Sequence, residues 1–214
     1  MSDAPARIGI LVVDDHPLMR EGVASMLASE PDMNLLASAS NGREAISAFA
    51  QHQPDVTLMD LQMPELDGLS AISQIVARWP EARILVLTTF SGDVQTLRAL
   101  KAGACGYLLK SMIRKDLLNA VRDAHRGRRR LPPEVAAQIG QHALDDQLSE
   151  REAEVLSRVA SGLANKQIAT QLGVSEQTVK SHMKSILAKL KANDRTHAVM
   201  IALDRGIINS WPLR

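Results

Sequence analysis

Through the first 125 residues, short apolar runs alternate with longer segments whose apolar residues recur every three or four positions. IGILVV (8–13) is β-branched and too short for a helix, and HPLMREGVASMLASE after it places Leu18, Val23, Met26 and Leu27 near helical spacing. The alternation continues, with NLLASAS, DVTLMD, RILVLTT and GYLLK reading as strands and REAISAFAQ, GLSAISQIVAR, DVQTLRALKAG and MIRKDLLNAVRDAH as helices. Strands joined by helices run parallel because each connection is a crossover, and strands apolar on both faces must be covered on both sides. Residues 1–125 are expected to form a doubly wound α/β domain on a five-stranded parallel sheet.

From Arg126 to Gln147 the pattern breaks into GRRR, the pair Pro132 and Pro133, and EVAAQIGQH, which reads as a linker with one short helix that starts at proline. Residues 148–214 show no strand pattern and are expected to form a smaller all-α domain of four short helices. Ser149 and Glu152 stand at capping-box spacing, and a second helix runs from about Asn165 to Leu172. Gly173 then turns the chain, and Ser175 caps a third helix from Glu176 to about Leu190. Helix, glycine turn, helix is the helix-turn-helix arrangement. On the third helix Val179, Met183, Ile186, Leu187 and Leu190 share one stripe, with Gln177, Ser181, Lys184 and Ala188 opposite and Lys180 at the margin.

Composition excludes several classes. A chain of 214 residues with 45% hydrophobic and 23% charged residues is neither wholly disordered, nor collagen, nor a disulfide scaffold, and its one cysteine, Cys105, has no internal partner. The opening MSDAPAR lacks the apolar run of a secretory signal, and no stretch approaches the roughly 20 residues that span a bilayer, so a soluble, cytoplasmic protein is expected. The net charge of +1 conceals an asymmetry. Residues 1–125 hold 11 Lys/Arg against 15 Asp/Glu, whereas residues 148–214 hold 10 against 6.

Strand ends carry the chemistry. Asp14 and Asp15 follow ILVV, Asp60 follows VTLM, Thr88 follows ILVL and Lys110 follows YLL, always at the carboxyl end, where open parallel sheets bind ligands. Clustered carboxylates repel until a hard cation neutralises them, and carboxylates with water and phosphate oxygens suit Mg²⁺. With the metal on one side and the Lys110 ammonium on the other, a transferring phosphoryl group would be neutralised while Asp60 attacks in line and Thr88 donates a hydrogen bond. His16 has no second His or Cys at ligand spacing and reads as a loop residue or helix start. Pro64 and Gly68 shape the loop after Asp60, and Cys105 reads as a small buried apolar residue.

VVDDHPLMREG, DVTLMDLQMPELDGL, ILVLTTF and GACGYLLK, in that order, resemble the receiver domain of bacterial two-component response regulators from about Ile8 to His125. The resemblance implies Asp60 as phosphoacceptor, Asp14, Asp15, Asp60 and the backbone carbonyl of Gln62 as Mg²⁺ ligands, and Lys110 and Thr88 as phosphoryl contacts. It also implies that Tyr107 turns inward when Thr88 is drawn to the phosphate. Many receivers have proline after this lysine; Ser111 stands there in this chain. Residues Leu148 to about Leu203 resemble the LuxR-type helix-turn-helix of the NarL/FixJ response regulators. That resemblance implies that Lys180, Ser181 and Lys184 face the major groove of double-stranded DNA, with Asn165, Lys166 and Thr178 near phosphates, and that the helix from Thr196 to Asp204 is a homodimer contact. It assigns no derivable role to His182 or to the tail from Ile208, where Trp211 is a candidate cover for the core.

The expected function is therefore transcription control by a non-enzymatic regulator, with a sensor histidine kinase as phosphoryl source. Two alternatives weigh less. A phosphotransferase enzyme on the same rim would be expected to carry a second aspartate where Gln62 stands. A phosphate-independent regulator would not need the complete acidic set. Output by release of a masked recognition helix and output by receiver-driven dimerisation both remain open.

Overall fold

The computed structural model describes residues 7–89, 93–128 and 147–208. The runs rich in Ile, Leu and Val become β1 (Ile8–Val13), β2 (Met33–Ala39), β3 (Val56–Asp60), β4 (Ile84–Thr88) and β5 (Gly106–Leu109). They form one parallel sheet in the order β2-β1-β3-β4-β5. The intervening helices are α1 (Pro17–Ala28), α2 (Gly42–His52), α3 (Gly68–Arg78) and α4 (Asp93–Lys101), and α5 (Ile113–His125) follows β5. This is the doubly wound architecture expected from the alternation.

Strand alternation sorts the core into two layers. Ile10, Val12, Leu58, Leu85, Leu87 and Leu108 cluster with Val23 and Leu27 of α1 and with Leu117, Val121 and Ala124 of α5. Leu11, Val13, Met59 and Val86 at the intervening positions are equally buried, as are Phe49 of α2 and Ile72 and Ile75 of α3. Arg122 of α5 adds a polar clamp, reaching Asp32 through two bonds of 2.8 Å and Glu30 through one of 2.6 Å. Because β1 lies between β2 and β3, the winding direction reverses there and opens a crevice at the carboxyl ends of β1 and β3.

The second compact unit is built from α6 (Glu150–Ala160), α7 (Asn165–Leu172), α8 (Glu176–Lys189) and α9 (Arg195–Asp204). Gly173 ends α7 at φ +64°, the left-handed conformation that glycine adopts without a Cβ penalty, and Ser175 then caps α8 by accepting from the Thr178 N–H at 3.0 Å. Val155, Leu156 and Val159 of α6, Ile168 of α7, and Val179, Met183, Ile186 and Leu190 of the α8 segment form its core with Ala198 and Ala202 of α9. The stripe read from the sequence faces inward, although Leu187 is only half-buried. Residues 129–146, with Pro132, Pro133 and EVAAQIGQH, and residues 209–214, with Trp211, lie outside the described residues.

Glu152 does more than cap. Its carboxylate accepts from the Ser149 N–H at 2.7 Å, from Ser185 Oγ at 2.6 Å and from Lys189 Nζ at 2.8 Å, while the residue is only 5% exposed. Burial acts to raise its pKa, but Lys189, Ser185 and Ser149 together outweigh it and hold the group down at about 2, against the ordinary 4.5. A lowered folded-state pKa stabilises fully above the unfolded value and is lost as pH falls from 4.5 towards 2. Glu152→Gln is expected to destabilise the helical unit by roughly 2 to 3 kcal/mol at pH 7 and to remove part of its acid sensitivity below pH 4.5. Urea unfolding of the full chain at both pH values, followed through the helical signal, measures this.

Candidate functional site

Four strands deliver polar side chains to one rim. Asp14 follows β1, Asp60 ends β3 and Thr88 ends β4, while Lys110 follows β5. Asp14 and Thr88 are fully buried and Asp60 nearly so. Lys110 Nζ stands 2.7 Å from Asp14 Oδ2 and 2.9 Å from Asp60 Oδ2, and the Gln62 backbone N–H donates to Asp60 Oδ1 at 3.3 Å. The sequence-predicted residues Asp14, Asp15, Asp60, Thr88 and Lys110 thus share one edge.

Burial is the largest influence on Asp60 and pushes its carboxyl above the usual carboxylate range; the Lys110 ammonium opposes it and the Asp14 charge adds to it. On Lys110 burial acts downward, but Asp14 and Asp60 outweigh it, so the ammonium stays charged to a higher pH than a free lysine. One cation faces three carboxylates, and the rim retains an excess of negative charge.

That excess is what a divalent cation would offset. Ligand atoms of Asp14, Asp15, His16 and Asp60 all lie within 4.8 Å of one another. Asp15 Oδ1 is buried and accepts no hydrogen bond; His16 Nδ1 is 2.7 Å away but out of hydrogen-bond alignment. An orphaned carboxylate oxygen beside two further carboxylates fits a hard cation with oxygen ligands. His16 is the N-cap of α1, as its helix-start reading expected, and it also touches the acidic pair, with its backbone N–H donating to Asp14 Oδ1 at 2.9 Å.

Tyr107 is fully buried, and its hydroxyl is hydrogen-bonded to Thr88 and to Thr96 of α4. Cys105 is half-buried against the core and its Sγ donates to the Ile84 carbonyl at 3.3 Å, so it is less enclosed than expected. Where many receivers have proline, Lys110, Ser111 and Met112 form a single 3-10 turn that runs straight into α5, and the peptide bonds of the described residues are trans.

Backbone packing sets where Asp60 sits. The Gly68 N–H donates to the Leu61 carbonyl at 3.1 Å, and a Cβ on Gly68 would lie 1.9 Å from the Asp60 carbonyl oxygen. Only glycine permits that approach. In the loop before it, Glu65 adopts φ +64° and Asp67 caps α3 by accepting from the Ser70 N–H at 2.9 Å.

On the second unit, Gln177, Lys180, Ser181, Lys184 and Ala188 are exposed on α8, the face expected from the periodicity. Lys180 Nζ pairs with Glu176 Oε1 at 2.9 Å, whereas Lys184 has no ion-pair partner among the described residues. Lys166 is exposed and Asn165 half-buried at the start of α7. Thr178 is half-buried, its hydroxyl 2.8 Å from Ser175 Oγ.

The family model described as the response regulator receiver domain matches residues 10–122, and that described as bacterial regulatory proteins of the luxR family matches residues 146–202. The chain belongs to the response regulators. It is a DNA-binding regulator of the two-component type, and it is 38% identical to the response regulator protein VraR of Staphylococcus aureus over 94% of this chain and 99% of that protein. Among solved structures it resembles the response regulator ChrA of a heme-sensing two-component system (38% identity, TM-score 0.56, covering 95% of this chain and 100% of that one). It also resembles RcsB of Salmonella typhimurium (25% identity, TM-score 0.67, covering 91% and 98%). No helix among the described residues is long and apolar enough to cross a membrane.

Several residues around the sites of this response regulator escaped sequence reasoning. Arg20 Nη1 donates to the Asp14 carbonyl at 2.6 Å, Thr96 bonds Tyr107, and Ser185 and Lys189 complete the Glu152 network. Arg20 lies one turn into the helix after the acidic pair, a spacing that could have suggested the contact. Nothing local distinguishes Thr96.

The two glycines Gly68 and Gly22 give opposite expectations. Gly68→Ala should destabilise the response regulator by about 1 to 3 kcal/mol, because the added methyl displaces the Asp60 backbone. Gly22→Ala, on α1 with nothing within 4 Å of the added Cβ, should stabilise it by about 0.5 to 1 kcal/mol through helix propensity. Urea midpoints of the two variants would be compared, and equal shifts would contradict the close approach at Gly68.

Proposed function

We propose that Asp60 accepts a phosphoryl group from a phosphohistidine of a cognate sensor histidine kinase, and that this modification controls binding of a homodimer to double-stranded DNA in the cytoplasm. The observation that carries the reading is Asp60 itself. One oxygen is fixed by the Gln62 N–H and the other by the Lys110 ammonium, beside Asp14 in a buried rim. An Asp60 oxygen forms the new bond to phosphorus as the phosphorus–nitrogen bond of the donor histidine breaks. Lys110 offsets charge on the transferring oxygens, and Thr88 donates a hydrogen bond to them. Mg²⁺, held by Asp14, Asp15, Asp60 and the backbone carbonyl of Gln62, would supply the remaining positive charge.

DNA contact is assigned to α8, with Lys180, Ser181 and Lys184 towards the major groove and Asn165, Lys166 and Thr178 towards phosphates. Support comes from the exposure of the α8 face and from RcsB, a relative solved as a DNA complex and as dimers on DNA. Met200 of α9 is 65% exposed, an unusual position for so apolar a side chain, and it supports α9 as the homodimer contact.

With acetyl phosphate and Mg²⁺, the wild-type chain should acquire one acid-stable-gel-shifted, phosphate-bearing form, and Asp60→Asn should acquire none. Undiminished labelling of Asp60→Asn on a phosphate-affinity gel would refute the assignment. Lys110→Ala should keep metal binding while slowing transfer.

The two lysines of α8 should differ. Lys184 is unpaired among the described residues, whereas Lys180 must leave or share Glu176 to meet DNA, so Lys184→Ala is expected to weaken binding more than Lys180→Ala. Loss of a phosphate contact flattens the salt dependence by about one unit, while loss of a base contact costs about 1 to 3 kcal/mol and relaxes specificity. Fluorescence anisotropy against salt, on a duplex selected from a random pool, separates these outcomes; no loss from either variant would remove α8 as the reading helix.

A further inference from the structure

Arg20 stands in the first turn of α1, where the helix dipole disfavours a cation. It is half-buried and forms no ion pair among the described residues, unlike Arg122, Arg128, Arg151 and Arg158, each of which pairs with a carboxylate. Glu44 feels its charge only weakly, after the donors of Ser40 and Asn41. Arg20 Nη1 instead donates to a neutral acceptor, the Asp14 carbonyl, at 2.6 Å. That carbonyl belongs to the peptide that joins Asp14 to Asp15, two carboxylates of the rim. The Asp14 N–H is tied to the Ala39 carbonyl of β2 at 3.1 Å, so strand pairing fixes one side of Asp14 and Arg20 the other. Asp15 lacks side-chain support of this kind: its buried Oδ1 accepts no hydrogen bond, and His16 beside it makes no side-chain cap bond to α1. The placement of the Asp15 carboxylate therefore rests on the backbone that Arg20 holds.

We infer that Arg20 is a positioning residue: its guanidinium fixes the peptide between Asp14 and Asp15 and so holds both carboxylates where they can ligate one divalent cation together. The inference rests on the reading of the rim as a divalent-cation site. Charge and positioning act in opposite directions here. Removing a cation from beside three carboxylates would by itself tighten cation binding, so an affinity lost with Arg20 cannot come from its charge.

The test uses the full chain with Mn²⁺, a divalent cation that carboxylate oxygens suit and that its paramagnetic resonance signal counts. Arg20→Met removes the charge and the donors; it should weaken Mn²⁺ binding about fivefold, the effect of one hydrogen bond, and shift the Asp15 amide ¹⁵N resonance of the metal-free chain. Arg20→Lys, which keeps the charge without the planar fork, should weaken binding about twofold. Arg122→Met, which breaks the clamp to Asp32 and Glu30 at the opposite, amino end of the sheet, should lower the urea midpoint and leave the Mn²⁺ affinity unchanged. Absence of Mn²⁺ binding by the wild-type chain, or undiminished binding by Asp15→Asn, overturns the cation reading and this inference with it. Where the wild type binds and Asp15→Asn is impaired, unchanged or tighter binding by Arg20→Met overturns the inference alone, as does an equal weakening by Arg122→Met. If Arg20→Met does not fold, Arg20→Lys decides by itself, with weaker binding and a shifted Asp15 resonance expected and an unchanged affinity contradicting it.

Discussion

Three carboxylates and one ammonium meet at the carboxyl edge of the sheet, and this surplus of enclosed negative charge is the constraint on which the rest of the receiver depends. Parallel strands bring Asp14 and Asp60 together simply because β1 and β3 are neighbours that end at the same level. Lys110 can reach both only because it follows β5 directly and turns at once into α5. Two of the carboxylates are then held by a backbone donor, Asp60 by the Gln62 N–H and Asp14 by the His16 N–H, whereas the buried Asp15 Oδ1 accepts no hydrogen bond. Repulsion that these donors leave uncompensated is what a divalent cation would offset.

Glu152 of the helical unit shows the contrast. It too is a buried carboxylate, yet Lys189, Ser185 and Ser149 satisfy it so fully that its pKa falls to about 2. Asp60 moves the other way, because burial and Asp14 outweigh its partners. A satisfied carboxylate fixes helices against one another, and an under-satisfied one is available for chemistry. The opposite directions of the two shifts distinguish a carboxylate whose donors outweigh its burial from one whose burial and acidic neighbour outweigh its donors.

The fold was legible because its signals are local and periodic. Continuous β-branched runs announce strands buried on both faces, and the carboxyl-end placement of Asp14, Asp60, Thr88 and Lys110 follows once their order is read. The capping box at Ser149 and the glycine turn at Gly173 were equally visible, since caps and turns are written in adjacent residues. What escaped depends on residues far apart in the chain. Arg122 meets Asp32 across 90 positions and Lys189 meets Glu152 across 37, and no spacing rule marks such pairs. Thr96 resembles any helix threonine until β5 brings Tyr107 beside it.

The same distinction bears on how the receiver can respond. Asp60 is pinned by backbone, since Gly68 packs against its carbonyl so closely that a Cβ would stand 1.9 Å away, and Gln62 and Lys110 hold its two oxygens. A modification of that side chain therefore has little freedom to move the strand that carries it. Thr88 is different: it is neutral, buried at the same edge and engaged by a side-chain hydroxyl. A hydrogen bond between hydroxyls can be exchanged at small net cost, whereas displacing a close-packed backbone cannot. The rim is thus rigid at Asp60, where backbone packs on backbone, and exchangeable at Thr88, where one hydroxyl meets another.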